Sequence, residues 1–215
     1  MHHIGKKDIS LWDDEDAFYY DAIQFENGTS QHLKIRSLAG IIPLLAVDIM
    51  HAKVIKYLRQ FNTRLEVIRL TRPDLTRIIS AMENKNKDGN YLFAIMVDDR
   101  FKKLLKRLLD EAEFLSDYGI RSLSRCYKDQ PYVFEYQGSN YSIQYEPGES
   151  CSGMFGGNSN WRGPIWLPLN YLDSHQSCWS AYHFKEHHLF YEFFNGDTGQ
   201  GLGASQPNGL DCFDR

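Results

Sequence analysis

The sequence predicts a mainly α protein whose helices are joined by long loops, with one β-hairpin. Three observations carry this expectation. Apolar residues recur three and four apart over several stretches, the period of a helix with one buried face. One stretch alternates with period two around a turn. Between these lie segments dense in glycine and aromatic residues, too long for simple connections.

The elements follow in chain order. The opening LWDDEDAFYYD, Leu11–Asp21, is aromatic and acidic, and a turn follows at Asn27-Gly28. From Ser37 to about Val67 the pattern reads as helical, with Pro43 tolerable near a helix start. RPDLTRIISAMEN, from Arg72, reads as another helix with Pro73 in its first turn. KNKDGN is a polar turn. DDRFKKLLKRLLDEAEFLS, from Asp98, has the clearest helical pattern and opens on acidic residues, which suit a helix N-terminus. YVFEYQGSNYSIQYEPGES, from Tyr132, alternates around a Gly-Ser-Asn turn as a hairpin. IWLPLNYL, from Ile165, reads as a helix start, AYHFKEHHLFYEFF, from Ala181, as a final short helix, and a glycine-rich tail follows.

The chain has 215 residues, enough for one sizeable core, and no linker or repeat divides it. It is therefore expected to form a single domain over 1–215. A net charge of −4 argues against general binding to nucleic acid or anionic membranes. The basic run at Arg100–Arg107 is explained by the solvated face of an amphipathic helix. No run of eighteen apolar residues suggests a membrane span, and the N-terminal residues lack the apolar core of a signal peptide. The four cysteines form no CxxC pair and read as free thiols of a reducing, cytoplasmic compartment.

Three loops share one chemistry. Acidic groups alternate with Trp, Tyr and Phe in Leu11–Asp21, in the stretch from Tyr145 to Trp166, and in LFYEFFNGDTGQGLG from Leu189. Aromatic faces stack on sugar rings, carboxylates, Asn and Arg bind hydroxyls, and paired carboxylates can hydrolyse a glycosidic bond. Ordinary surface loops with anchoring aromatics would have the same composition. His183 and His187, in HFKEH, match the H-x-x-E-H pattern of a zinc site, with Glu186 to activate water. No convincing third ligand accompanies them, and a helix end rich in His and Glu explains the match equally; no metal or organic cofactor is expected.

Taken in order, LWDDEDAFYYD, RSLAGIIPLLAV, EFLSDYGIRSLSR, YEPGESCSGMFGGNSNWRGPIWLPLNYL and LFYEFFNGDTGQGLGAS resemble glycoside hydrolase family 63. The resemblance is to the mannosyl-oligosaccharide glucosidase-like and mannosylglycerate-hydrolase-like branch. It implies part of an (α/α)6 toroid and an inverting hydrolysis of α-glucosyl or α-mannosyl linkages in oligosaccharides or small glycosides. It implies Glu192 as the general base, and Trp161, Arg162 and Trp166 as the wall of the sugar cleft. It further implies Trp12, Asp13 and Asp21 as sugar contacts or loop organisers.

Three departures accompany it. The family's general acid lies in a segment matched by nothing here, and is expected upstream of Met1. A helical stretch of the family is missing near 172–182, and the tail LDCFDR from Leu210 does not match the closing helix. The chain is thus expected to be a C-terminal portion of the catalytic domain, weakly active or inactive alone. A non-catalytic carbohydrate-binding or degenerate paralogue is the alternative, and a zinc hydrolase the remote one.

Overall fold

The computed structural model describes residues 10–71, 87–94, 96, 98–151, 161–173 and 191–203. They fall into two compact units: Met1–His32 with Gly40–Leu105, and Leu33–Ala39 with Lys106–Arg215.

The first unit opens with two small antiparallel hairpins. Strands β1 (Trp12–Asp13) and β2 (Phe18–Tyr19) pair with Trp12 opposite Tyr19. Their turn is held by Asp13, whose Oδ1 accepts the amides of Glu15 and Asp16 at 3.1 and 2.8 Å, the short-range capping that suits aspartate to turns. Strands β3 (Asp21–Gln24) and β4 (Ser30–Leu33) flank the turn anticipated at Asn27-Gly28. There Gly28 takes a φ of 83° and Asn27 Oδ1 accepts the amide of Thr29. Phe18, Tyr20 and Trp12 are buried.

The long helical reading from Ser37 fails in its first half. Leu38–Gly40 and Ile42–Leu45 form single 3-10 turns, and Val47–Met50 is a strand, β5. It pairs antiparallel with β6 (Tyr91–Ala94), Val47 opposite Ala94 and Met50 opposite Tyr91. The apolar spacing of this segment is compatible with either period over a few residues, and the distant partner decided between them. Helices α1 (Ala52–Tyr57) and α2 (Arg59–Thr71) then follow as anticipated. The helix read from Arg72 lies outside the described residues.

Helix α3 spans Asp98–Leu108, with Leu104 and Leu108 buried. It stops short of the expected DEAEFLS extension because Asp110 turns the chain. The Asp110 carbonyl accepts the amides of Glu113 and Leu115, and its Oδ1 accepts that of Ala112.

In the second unit, β7 (Leu115–Ser116) and β8 (Gly119–Ile120) form a tight hairpin. The predicted hairpin is present as β9 (Tyr132–Tyr136) and β10 (Ser139–Ile143), with Gln137 and Gly138 as its turn residues at positive φ. Leu123, Tyr127, Ile143 and Tyr145 pack into one core cluster against Ile35 and Tyr132. Strands β11 (Ile165–Trp166), β12 (Phe193–Phe194) and β13 (Gly201–Leu202) form a three-stranded antiparallel sheet. Helix α4 (Leu167–Asp173) follows β11 directly, as IWLPLNYL suggested.

The expectation of a mainly α, partial toroid is therefore corrected. The described residues are 30% helix and 27% strand, in small antiparallel sheets. Two segments read as helix or tail account for part of the error. Phe193-Phe194 was expected to close a helix, and Gly201-Leu202 to lie in a loop, yet each is a strand with a partner. Two-residue strands leave almost no period-two signature, so only pairing reveals them. Among the described residues, no helix is long and apolar enough to cross a membrane.

Candidate functional site

The second unit brings four of the expected residues into one sheet and its flanks. Trp161 and Trp166 lie with ring centroids 5.3 Å apart, tilted by 56°. Both are half-buried, so ring surface remains open to solvent. In β11, Trp166 stands opposite Phe193 of β12. The next pair of positions is Leu167 and Glu192, where the Leu167 amide donates to the Glu192 carbonyl at 3.3 Å. The backbone of the candidate base thus lies one register position from Trp166. Glu192 is half-buried.

Arg162 differs from the expected cleft wall in one respect: only 2% of it is exposed. Its Nη2 donates to Glu146 Oε1 at 3.3 Å, while Glu146 Oε2 accepts the amide of Cys151 at 3.1 Å. A buried guanidinium with a carboxylate partner acts as a brace. The backbone joins in, since the Glu146 amide donates to the Arg162 carbonyl at 2.7 Å.

Trp12, Asp13 and Asp21 belong to the first unit and are described with it. Trp12 is buried, donates from Nε1 to Asp14 Oδ1 at 2.8 Å, meets Tyr19 edge-on, and carries the Arg100 guanidinium 4.9 Å above its ring. It is an anchor for its hairpin. Asp13 organises the β1–β2 turn, and its Oδ2 lies 3.6 Å from His32 Nδ1. Asp21 is exposed at the start of β3. His183 and His187 lie outside the described residues. Among the described residues, no three His, Cys, Asp or Glu side chains are grouped to hold a metal ion.

Sequence reasoning missed a polar network beside the sheet. Tyr145 Oη donates to Asp197 Oδ1 at 2.9 Å and accepts from Arg121 Nε at 3.1 Å. Lys128 Nζ reaches Asp197 Oδ2 at 3.0 Å, and Arg121 Nη2 lies 3.7 Å from Asp197 Oδ1. Arg121 is buried. Tyr145 and Asp197 each stood in one of the loops rich in aromatic and acidic residues. Their 52-residue separation left no local signal that they meet.

The ionisation of the pair follows from these contacts. Burial raises the Tyr145 phenol well above its ordinary value, and the Asp197 carboxylate adds to this while Arg121 opposes it. The hydroxyl thus stays protonated and donating. Burial alone would raise the Asp197 carboxyl. Hydrogen bonds from Lys128 and Tyr145, with the charges of Lys128 and Arg125, outweigh it and hold the group below 3.8.

A carboxyl that titrates lower when folded contributes stability above its unfolded value, and loses it as pH falls through the folded one. Acidification from about pH 5 to about pH 2 is accordingly expected to lower the urea midpoint more for the native chain than for Asp197→Asn. Equal pH slopes for the two would contradict this assignment.

No family model matches the sequence. The chain is similar to the uncharacterized protein YMR196W of Saccharomyces cerevisiae, with 35% identity covering 93% of this chain and 24% of the yeast protein. The chain thus spans about a quarter of the length of that relative. The matched span runs over 259 positions against the 215 residues of this chain, so the yeast protein carries residues inside it that have no counterpart here.

Proposed function

We propose that the chain is part of the catalytic domain of an inverting α-glycosidase of the family 63 type, acting on α-glucosyl or α-mannosyl linkages. Glu192 activates water for attack on the anomeric carbon, and Trp161 and Trp166 offer ring faces to the sugar. Arg162, buried against Glu146, holds the tryptophan segment. The observation that supports this reading is the β11–β12 ladder, which brings the Glu192 backbone one position from Trp166, whose ring is tilted against that of Trp161.

The reading rests on this local arrangement and on the motif resemblance, not on a helical toroid. The exposed thiols of Cys126 and Cys151 fit a reducing, cytoplasmic compartment.

Calorimetry with methyl α-glucoside and methyl α-mannoside tests the site. At least one is expected to bind the native chain, and Trp166→Ala to weaken that binding about tenfold, or ~1.4 kcal/mol. Absence of binding by the native chain to either glycoside would remove the sugar site. Binding that persists unchanged in Trp166→Ala would remove the tryptophan pair from it. The non-catalytic carbohydrate-binding reading is separated by sugar binding without turnover, which depends on Trp161 or Trp166 and which Glu192→Gln leaves nearly unchanged.

A further inference from the structure

Tyr145 packs against the two segments that carry the candidate sugar site, which are themselves joined by the pairing of β11 with β12. On one side is Gly163, directly after Arg162 and three residues before Trp166. It takes a φ of 143°, and a Cβ there would come within 2.7 Å of the Tyr145 ring and of the Glu146 carbonyl. On the other side is Gly196, in the turn that follows β12. A Cβ there would lie 2.6 Å from the Tyr145 hydroxyl and 2.8 Å from the Gly163 carbonyl. The absence of a side chain at both positions is what admits the ring.

The neighbours of Tyr145 fasten the same two segments. The Glu146 amide and carboxylate hold Arg162, and the Pro147 carbonyl accepts the Gly196 amide at 2.8 Å. The turn itself is internally tied, since Asn195 Oδ1 accepts the amides of Asp197 and Thr198 at 2.9 and 3.0 Å. A hydrogen bond from Tyr145 to Asp197 therefore grips a preformed unit rather than a loose loop.

We propose that Tyr145 is a positioning residue for the sugar site, its ring seated against Gly163 and Gly196 and its hydroxyl fixing the turn after β12 through Asp197. The proposal rests on the sugar-site reading given above. Its physical content is preorganisation. The base at Glu192 and the tryptophan faces sit on different strands, and a ligand that needs both pays for any slack between them. Lys128 and Arg121, on either side of the Asp197 carboxylate, hold that side chain toward the phenol. Tyr145 touches no reacting atom in this scheme and acts through the turn that it fixes.

The experiment compares two ligands on the intact chain. Methyl α-glucoside is neutral and reports on ring stacking. Deoxynojirimycin carries a cationic ring nitrogen and also reports on the Glu192 carboxylate. Tyr145→Phe keeps the wedge and removes the hydroxyl, and Asp197→Asn removes the charge it grips.

Each is expected to weaken deoxynojirimycin binding about tenfold, and methyl α-glucoside binding by less than about twofold. The double variant is expected to lose no more than either single one, because both break the same link. Equal losses for the two ligands, or additive losses in the double variant, would show a merely structural role and overturn the proposal. A native chain that binds neither ligand overturns the sugar-site reading itself, and the proposal with it. That result is distinct because it appears before any substitution is made.

Discussion

Glu192→Gln is expected to slow the hydrolysis of α-glucosyl fluoride by about 100- to 10,000-fold, the range that a general base contributes. Fluoride suits this chain because it departs as an anion without a proton from a catalytic acid. Water attacks the anomeric carbon, the C–F bond breaks with its electron pair leaving on fluoride, and Glu192 accepts the proton that water loses. Leaving-group protonation is not needed in this reaction, so its rate reports on the base. The native chain is accordingly expected to release fluoride measurably while turning over methyl α-glucoside weakly or not at all.

A fluoride-selective electrode follows the reaction, and polarimetry distinguishes the β-anomer that inversion yields. If the α-mannosyl fluoride is the better substrate, the sugar is assigned at the same time. Undiminished fluoride release by Glu192→Gln would remove Glu192 as the base. Comparable turnover of the methyl glucoside by the native chain would show that an acid is present after all.

Glu113→Ala is expected to lower the folding free energy by about 3 kcal/mol, because it strands two guanidinium groups against one another. Glu113 is buried at the end of the turn after α3. Its Oε1 receives Arg36 Nη1 at 3.3 Å and also Arg107 Nη1, while Ser124 Oγ lies 3.4 Å from Oε2. Its main chain takes part too, the carbonyl accepting the Arg125 amide at 2.9 Å. The carboxylate thus ties residues 36, 107 and 124 together within the second unit.

Removing a carboxylate that two arginines share costs more than deleting a surface pair. By contrast, Glu135→Ala on the exposed face of β9 is expected to change stability by less than about 0.5 kcal/mol. Urea denaturation of the two variants measures the difference. Similar midpoints for both would mean that the Glu113 network carries no more energy than a surface contact.

Local chemistry determined several elements of this protein. Helix α3 and the start of α4 follow from apolar spacing and from the residues that open them. The turn at Asn27-Gly28 follows from residues that tolerate positive φ, and the hairpin β9–β10 from partial alternation on either side of a turn. Trp161, Trp166 and Glu192 were singled out by motif, and β11 and β12 then make Trp166 and Glu192 register neighbours. The burial of Arg162 and Trp12 was not legible, because a Gly-rich or acidic segment gives no sign of what will cover it.

The strands β5, β12 and β13 were decided only by tertiary structure, and so were Tyr145, Asp197 and the carboxylate of Glu113. Each of these strands is two to four residues long, too short for a period of two to be told from a period of 3.6. Their identity comes from the backbone donors and acceptors of distant residues, such as Ala94 opposite Val47 or Phe194 opposite Ile165. Likewise, the role of Tyr145 depends on two glycines that lie 18 and 51 positions further along the chain. Sequence alone singled out the residues proposed here for a sugar site. Only the pairing of remote segments decided that the expected toroid gives way to small sheets, because non-local hydrogen bonds override weak local preference.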